Sequence, residues 1–212
     1  MMIQATVIGD VVGSRREASR TTLHARLTRV LERVNVDLAP VTPLRVTVGD
    51  EYQGCFASVA AAVAATLRLR LWLAPDVEVR HGIGWGGVEV LEEAPRVEDG
   101  PGWWAAREAI ETVTRYEADP AMRRLRTAYE RAPDSVDGPD PAVVNAALMM
   151  RDQLLAGLAP ASLSVLDGML RDMSQRDLAH DLGVSPSAVS QRIRRDGLAV
   201  LAEADRRLGG VR

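Results

Sequence analysis

Apolar positions change their spacing several times along the chain, and each change marks an element. Residues 2–8 are mostly apolar and β-branched and break at Gly9-Asp10, which predicts a buried strand ending in a polar turn that carries Asp10. Between 16 and 36, Leu23, Leu27, Val30, Leu31 and Val34 recur at helical spacing with Arg and Glu opposite, predicting a helix laid on a sheet. Residues 44–48 read as a second strand, and Gly49-Asp50-Glu51-Tyr52 as a tight reversal into a third at 53–56. The hairpin therefore has an acidic tip. Ser58 is placed to cap an alanine-rich helix on which Val63, Leu67 and Leu71 share a face. From 77 to 85, Val77, Val79, His81, Ile83 and Trp85 alternate with Glu78, Arg80, Gly82 and Gly84, a fourth strand with one face nearly bare, on which the glycines admit close approach of a ligand or, the favoured reading, of a helix. The order βαββαβ is the ferredoxin-like, or palm, arrangement, an α+β (α/β sandwich) fold.

The stretch PRVEDGPG reads as a loop leading into a helix over 103–116. A second loop, APDSVDGPDP, carries Asp134, Asp137 and Asp140 among Pro and Gly and has almost no apolar residues. It predicts a palm region with flanking helices over 1–131, a linker over 132–141 and an all-α region over 142–212. Helical segments are expected near 142–158, 162–173 and 174–182 and from 186 onward.

Composition narrows the classes. With 47% hydrophobic and 26% charged residues, the 212-residue chain has the make-up of a soluble globular protein, large enough for one substantial fold plus a small module. A net charge of -3 and a pI near 5.7 exclude a surface basic all over, so nucleic-acid binding requires a local patch. All 26 basic residues are Arg, which excludes a phosphate-loop lysine and a Schiff-base lysine. Cys55 has no cysteine to pair with. The start shows no signal-peptide pattern, and no apolar run approaches the ~20 residues of a membrane span. A cytoplasmic location without membrane contact is expected. His24, His81 and His180 lack metal-ligand spacing, which argues against a zinc site.

Two constellations carry chemistry. The first is the segment QRDLAHDLGVSPSAVSQRIRR. Ser174 with Asp177 opens one helix, Gly183 permits a left-handed turn, and Ser185-Pro186 starts a second helix whose buried side is expected from Val184, Val189 and Ile193. This is a helix-turn-helix pattern over about 174–195. Ser187, Ala188, Ser190, Gln191 and Arg194 would face base edges of DNA, with Gln191 the principal reader, while Arg192 and Arg195 would reach phosphates. The same pattern also fits a helix-packing unit whose arginines form a solvated face. Over residues 162–201 the segment resembles region 4 of sigma factors and related bacterial regulators.

The second constellation is acidic. In the inferred sheet, Asp10 and the hairpin residue Asp50 converge at one edge, where a divalent cation would relieve their repulsion and Mg²⁺ would bridge them to nucleotide phosphates. Each residue also has a plain role, Asp10 capping a turn and Asp50 shaping the hairpin. The motifs IGDVVGSR, VTVGDEYQG, VRHGIGWGGVEVL and DGPGWWAAREAI resemble the SatD family of bacterial proteins over most of the first 115 residues. More distantly they are similar to class III nucleotide cyclases, whose first strand and hairpin each supply a metal-binding Asp, matched by Asp10 and Asp50. The Gly-Asp-Glu-aromatic tip also looks like that of diguanylate cyclases. The resemblance implies a triphosphate pocket in which Val11, Val12, Gly13 and Ser14 lie near phosphate. It matches Arg107 to a transition-state arginine of the cyclases, and Trp103 to their asparagine, which is absent here. The cyclases' base-selecting lysine is also absent. Arg107 is thus a candidate phosphate clamp or a helix-surface arginine, Trp103 and Trp104 are base-stacking, dimer or core residues, and Glu51 is a third acidic ligand or solvent-facing.

The function expected from these features is a bacterial DNA-binding transcriptional regulator, a homodimer whose cyclase-like domain senses a purine nucleotide or cyclic nucleotide with Mg²⁺. The alternatives are an active nucleotidyl cyclase or nucleotidyltransferase with DNA-targeting helices, and a non-catalytic scaffold.

Overall fold

The computed structural model describes residues 1–13, 19–135 and 137–211. β1 (Met2–Val11) does not turn at Gly9 but runs on to Val11, because it is paired on both sides. Gly9 lies opposite Tyr52 of β3 (Glu51–Phe56) and His81 of β4 (Val79–Glu93), and Asp10 lies opposite Arg80 of β4. A side chain at Gly9 would put its Cβ 2.4 Å from the Tyr52 ring, so glycine is required there. α1 (Arg20–Leu38) carries the chain to β2 (Thr42–Val48), and α2 (Val59–Leu73), capped by Ser58, carries it from β3 to β4. The strands stand in the order β2-β3-β1-β4 with each pair antiparallel, which is the ferredoxin-like βαββαβ arrangement.

β4 continues well past Trp85, and two further strands join it. Its first half pairs in parallel with β6 (Thr127–Arg131) and its second half with β5 (Arg96–Asp99), which lies in the stretch expected to be loop. α3 (Pro101–Ala118) packs on the bare face of β4. A Cβ at Gly84 would lie 2.2 Å from Gly102 O and 2.4 Å from Ala106 N, so the glycine face brings helix and strand backbones together. The sheet is thus covered on both sides. Ala5, Val7, Ile83 and Tyr129 pack toward α1 and α2, while Ile8, Cys55 and Val88 pack against Trp103, Ala106 and Ile110 of α3.

The remainder is helical: α4 (Pro141–Leu155), α5 (Pro160–Leu170), α6 (Gln175–Asp181), α7 (Pro186–Arg195) and α8 (Leu198–Leu208). The helix expected from 186 onward is divided at Gly197, whose φ of 64° ends the right-handed run. α4 is fastened to the sheet. Asn145 pairs with both backbone groups of Tyr129, accepting at 2.9 Å and donating at 2.8 Å, which satisfies that residue in the middle of β6. Val144 and Leu148 join the sheet's core, and Leu155 joins a second cluster with Val165, Leu166, Leu178, Ala179, Val189, Leu198 and Leu201. α2 is likewise shared, giving Leu69 and Leu73 to the first cluster and Leu67 and Leu71 to the second. A helix buried on two sides shows no single apolar stripe.

A buried polar joint lies between these elements. Asp152 of α4 is fully buried, pairs with Arg70 of α2 and accepts from the backbone N–H of Arg126 at 2.7 Å. Its neighbour Arg151, also buried, donates to Val63 O at 3.1 Å and to the hydroxyls of Thr66 and Thr127 at 3.3 and 3.0 Å. Burial lowers the affinity of Arg151 for its proton, against the pull of Asp152.

Candidate functional site

The β2–β3 turn is tight because Gly49 takes a φ of 66°, and it sets Asp50 against the end of β1. Asp50 Oδ2 accepts from the N–H of Val11, the residue after Asp10, at 3.2 Å. The two expected carboxylates therefore stand at the same sheet edge. Val12 N–H donates to Glu78 O at 2.8 Å, so the backbone donors of Val11 and Val12 are both engaged. Gly13 is exposed with a φ of 71°, and Ser14 lies outside the described residues. Arg107 on α3 forms a two-pronged pair with Glu51, both bonds at 2.9 Å, leaving neither as an independent ligand. Trp103 is buried in the core, and Trp104 is exposed with its Nε1 donating to Asp99 at 2.9 Å.

The residue that sequence reasoning missed is Arg80. Directly opposite Asp10 across the β1–β4 ladder, it donates from Nε to Oδ1 at 2.6 Å and from Nη2 to Oδ2 at 3.1 Å. Its Nη1 donates to Glu117 of α3 at 2.7 Å. Burial opposes the charge, yet bonding to Asp10 and the fields of Glu117 and Asp50 hold the Arg80 proton more tightly than usual. Beneath this edge, burial and then Asp10 raise the pKa of Tyr52 well above its ordinary value, while burial lowers that of His81. The Tyr52 hydroxyl and His81 Nε2, both neutral, share a hydrogen bond of 2.7 Å. Burial also pushes the Cys55 thiol up to about 12, which removes it as a nucleophile.

These residues do not fit an Mg²⁺ ion as they stand. Both oxygens of Asp10 are taken by a guanidinium, and one oxygen of Asp50 is taken by Val11. Among the described residues, no group of three or more His, Cys, Asp or Glu side chains is arranged to hold a metal. Mg²⁺ asks for near-octahedral oxygen ligation, with one or two carboxylates bound directly and waters or phosphates completing the shell.

The second region is the helix pair α6–α7. Ser174 Oγ accepts from Asp177 N at 3.2 Å and donates to the Asp177 carboxylate at 2.6 Å, closing the start of α6. Gly183, with a φ of 63°, turns the chain while Val184 N–H reaches back to Ala179 O at 2.9 Å. The Val184 side chain is 43% exposed instead of lying on the expected buried side. Ser185 accepts from Ala188 N, and Pro186 begins α7. Leu178, Ala179 and Val189 are buried between the helices, and Gly168 of α5 admits Leu178, whose Cδ2 would sit 2.2 Å from a Cβ there.

Ser187, Gln191 and Arg194 are exposed at positions i, i+4 and i+7, on one face of α7. Ala188, Ser190 and Arg192 are half-buried, and Ser190 accepts from Arg194 at 3.0 Å. Arg195 is held by Asp196 through bonds of 2.7 and 2.9 Å, and Asp196 in turn accepts from Ser162 of α5 at 2.5 Å. Arg195 and then Ser162 hold the Asp196 carboxyl down to about 2.

A ferredoxin-like sheet with an acidic hairpin tip against its first strand, joined through α2 and α4 to a helical unit, places the molecule among palm-type α+β proteins. The chain belongs to the SatD family, which it matches over residues 4–207. No curated protein matches it. Among solved structures, it is similar to the monomeric guanylyl cyclase domain of the RhoGC fusion protein from the aquatic fungus Blastocladiella emersonii, at 14% identity and a TM-score of 0.44 over 52% of this chain and 75% of that one. The guanylyl cyclase Cya2 matches at 12% identity and a TM-score of 0.45, over 52% and 70%. The adenylyl cyclase CyaB from P. aeruginosa matches at 17% and 0.39, over 50% and 69%. At these TM-scores the likeness carries no functional weight. No described helix is long and apolar enough to cross a membrane.

Proposed function

We propose that the chain is a DNA-binding regulator that reads DNA through α7 and receives its effector on the palm. The observation that supports this most strongly is the construction of the α6–α7 pair. Both helices have side-chain N-caps, the turn contains a left-handed glycine, and the face of α7 opposite Val189 presents Ser187, Gln191 and Arg194 to solvent. That face has the length and chemistry to enter a major groove, with Gln191 suited to adenine and Arg194 to guanine. Arg192 is the phosphate contact in this reading, and Arg195, held by Asp196, sets the end of the helix.

The chain acts as a cytoplasmic homodimer, since a two-fold operator needs two recognition helices at fixed spacing. The effector is a purine nucleotide or cyclic nucleotide arriving at the Asp10–Asp50 edge. Mg²⁺ accompanies it only where Arg80 releases Asp10. The enzyme alternative needs both carboxylates free for metal, and the Arg80 pairing disfavours it.

Fluorescence anisotropy on a selected DNA site tests the reading. Replacing Gln191 or Arg194 by Ala should cost about 1–3 kcal/mol each in specific binding. Arg192→Ala should weaken specific and non-specific binding alike and lower the salt dependence by about one charge. Unchanged specific binding in both single mutants overturns the assignment of α7.

A further inference from the structure

We propose that Arg80 is a built-in counter-cation that closes the Asp10–Asp50 edge to divalent metal. All three guanidinium nitrogens are engaged: Nε and Nη2 by the two oxygens of Asp10, and Nη1 by Glu117. The pairing is enforced by the fold. Asp10 and Arg80 occupy one register position of adjacent antiparallel strands, and Glu117 holds the guanidinium from the helix above.

The pair is also sheltered. The side chains of Arg80, Asp10 and Glu117 are 19%, 23% and 27% exposed, so water screens them less than it would a surface pair. A divalent ion entering here meets a positive charge already seated on its first ligand. It finds Asp50 with one oxygen committed to Val11 N–H, and Glu51 committed to Arg107. Two carboxylates at close quarters need a positive charge between or beside them. The chain supplies it from its own β4, so while Arg80 holds Asp10 an effector that binds at this edge binds without a metal bridge.

Mn²⁺, which electron paramagnetic resonance detects directly, is the probe. Full-length wild-type protein should take up no stoichiometric Mn²⁺ below about 1 mM, the weak end of carboxylate sites. Arg80→Gln, which removes the charge but keeps hydrogen-bonding groups, should bind one Mn²⁺ at least about tenfold more tightly than wild type, a gain of about 1.4 kcal/mol. That binding should disappear in the Arg80→Gln/Asp50→Asn double mutant. Arg80→Lys, which retains the charge, should stay as silent as wild type. Wild-type uptake of one Mn²⁺ below about 1 mM that Asp10→Asn abolishes overturns the proposal, and this arm does not depend on any Arg80 variant folding. Equal Mn²⁺ affinity in the Gln and Lys variants overturns it as well.

Discussion

Asp152→Ala tests whether α2, α4 and β6 are locked by the buried polar joint. The substitution removes the carboxylate that pairs with Arg70 and faces the Arg151 Nε at 3.5 Å, and it strands the Arg126 N–H that Asp152 accepts at 2.7 Å. Arg70 and Arg151 are only 11% and 6% exposed at their side chains, so neither finds water in exchange. Breaking a buried ion pair from one side costs about 3–5 kcal/mol. An orphaned buried amide adds about 1–3, and the two losses are not strictly additive. A total of about 4–6 kcal/mol consumes much of the 5–15 typical of a whole domain. At roughly 2–4 °C per kcal/mol for a chain of this size, the melting temperature should fall by about 8–24 °C. Urea unfolding followed by circular dichroism measures the loss directly. Asp152→Asn, which keeps an acceptor for Arg126 but loses the charge, should fall between the two. The exposed Asp134→Ala serves as the control and should stay within about 0.5 kcal/mol. A loss below about 1 kcal/mol for Asp152→Ala would refute the joint's role.

Gly84→Ala should cost at least the 1–3 kcal/mol typical of overpacking, because the new Cβ meets α3 backbone atoms at 2.2 and 2.4 Å; denaturant unfolding that shows no loss would contradict the packing of α3. Stability should also fall as the pH drops below about 6.5, the ordinary His pKa. Burial first, then Arg70 and Arg151, keep His81 neutral in the fold, so below that pH only the unfolded chain gains the proton. His81→Gln should flatten the slope between pH 7 and pH 5, and an unchanged slope assigns it to other groups. Ser185→Ala should lower stability by about 1 kcal/mol through loss of the α7 cap, read from thermal melts.

The first four strands and the capping of α6 and α7 were legible because each rests on short-range signals, namely alternation, an N-cap Ser and a left-handed Gly. The meeting of Asp10 and Asp50 followed from topology alone, since a β2-β3-β1 order carries the hairpin tip to the end of β1. Arg80 was not legible. Its role depends on standing opposite Asp10, a register set by the ladder and invisible in a strand read by itself. β5 and β6 escaped for a related reason, because RVED and TAYER are short and polar and become strands only where β4 extends beside them. α2 hid its second contact surface, since a helix packed on two sides offers no polar stripe to orient it. Val184 is exposed although it closes α6 through its backbone, and its spacing from Val189 does not reveal that.

Selection from a random DNA pool at near-physiological salt, followed by footprinting of the winner, tests the regulator reading most directly. The expected outcome is one enriched sequence with two-fold symmetry, its half-sites separated by one helical turn or a multiple of it, about 10–10.5 base pairs per turn, and protected in the major groove. A pool that emerges without any enriched sequence would show that α7 does not read DNA.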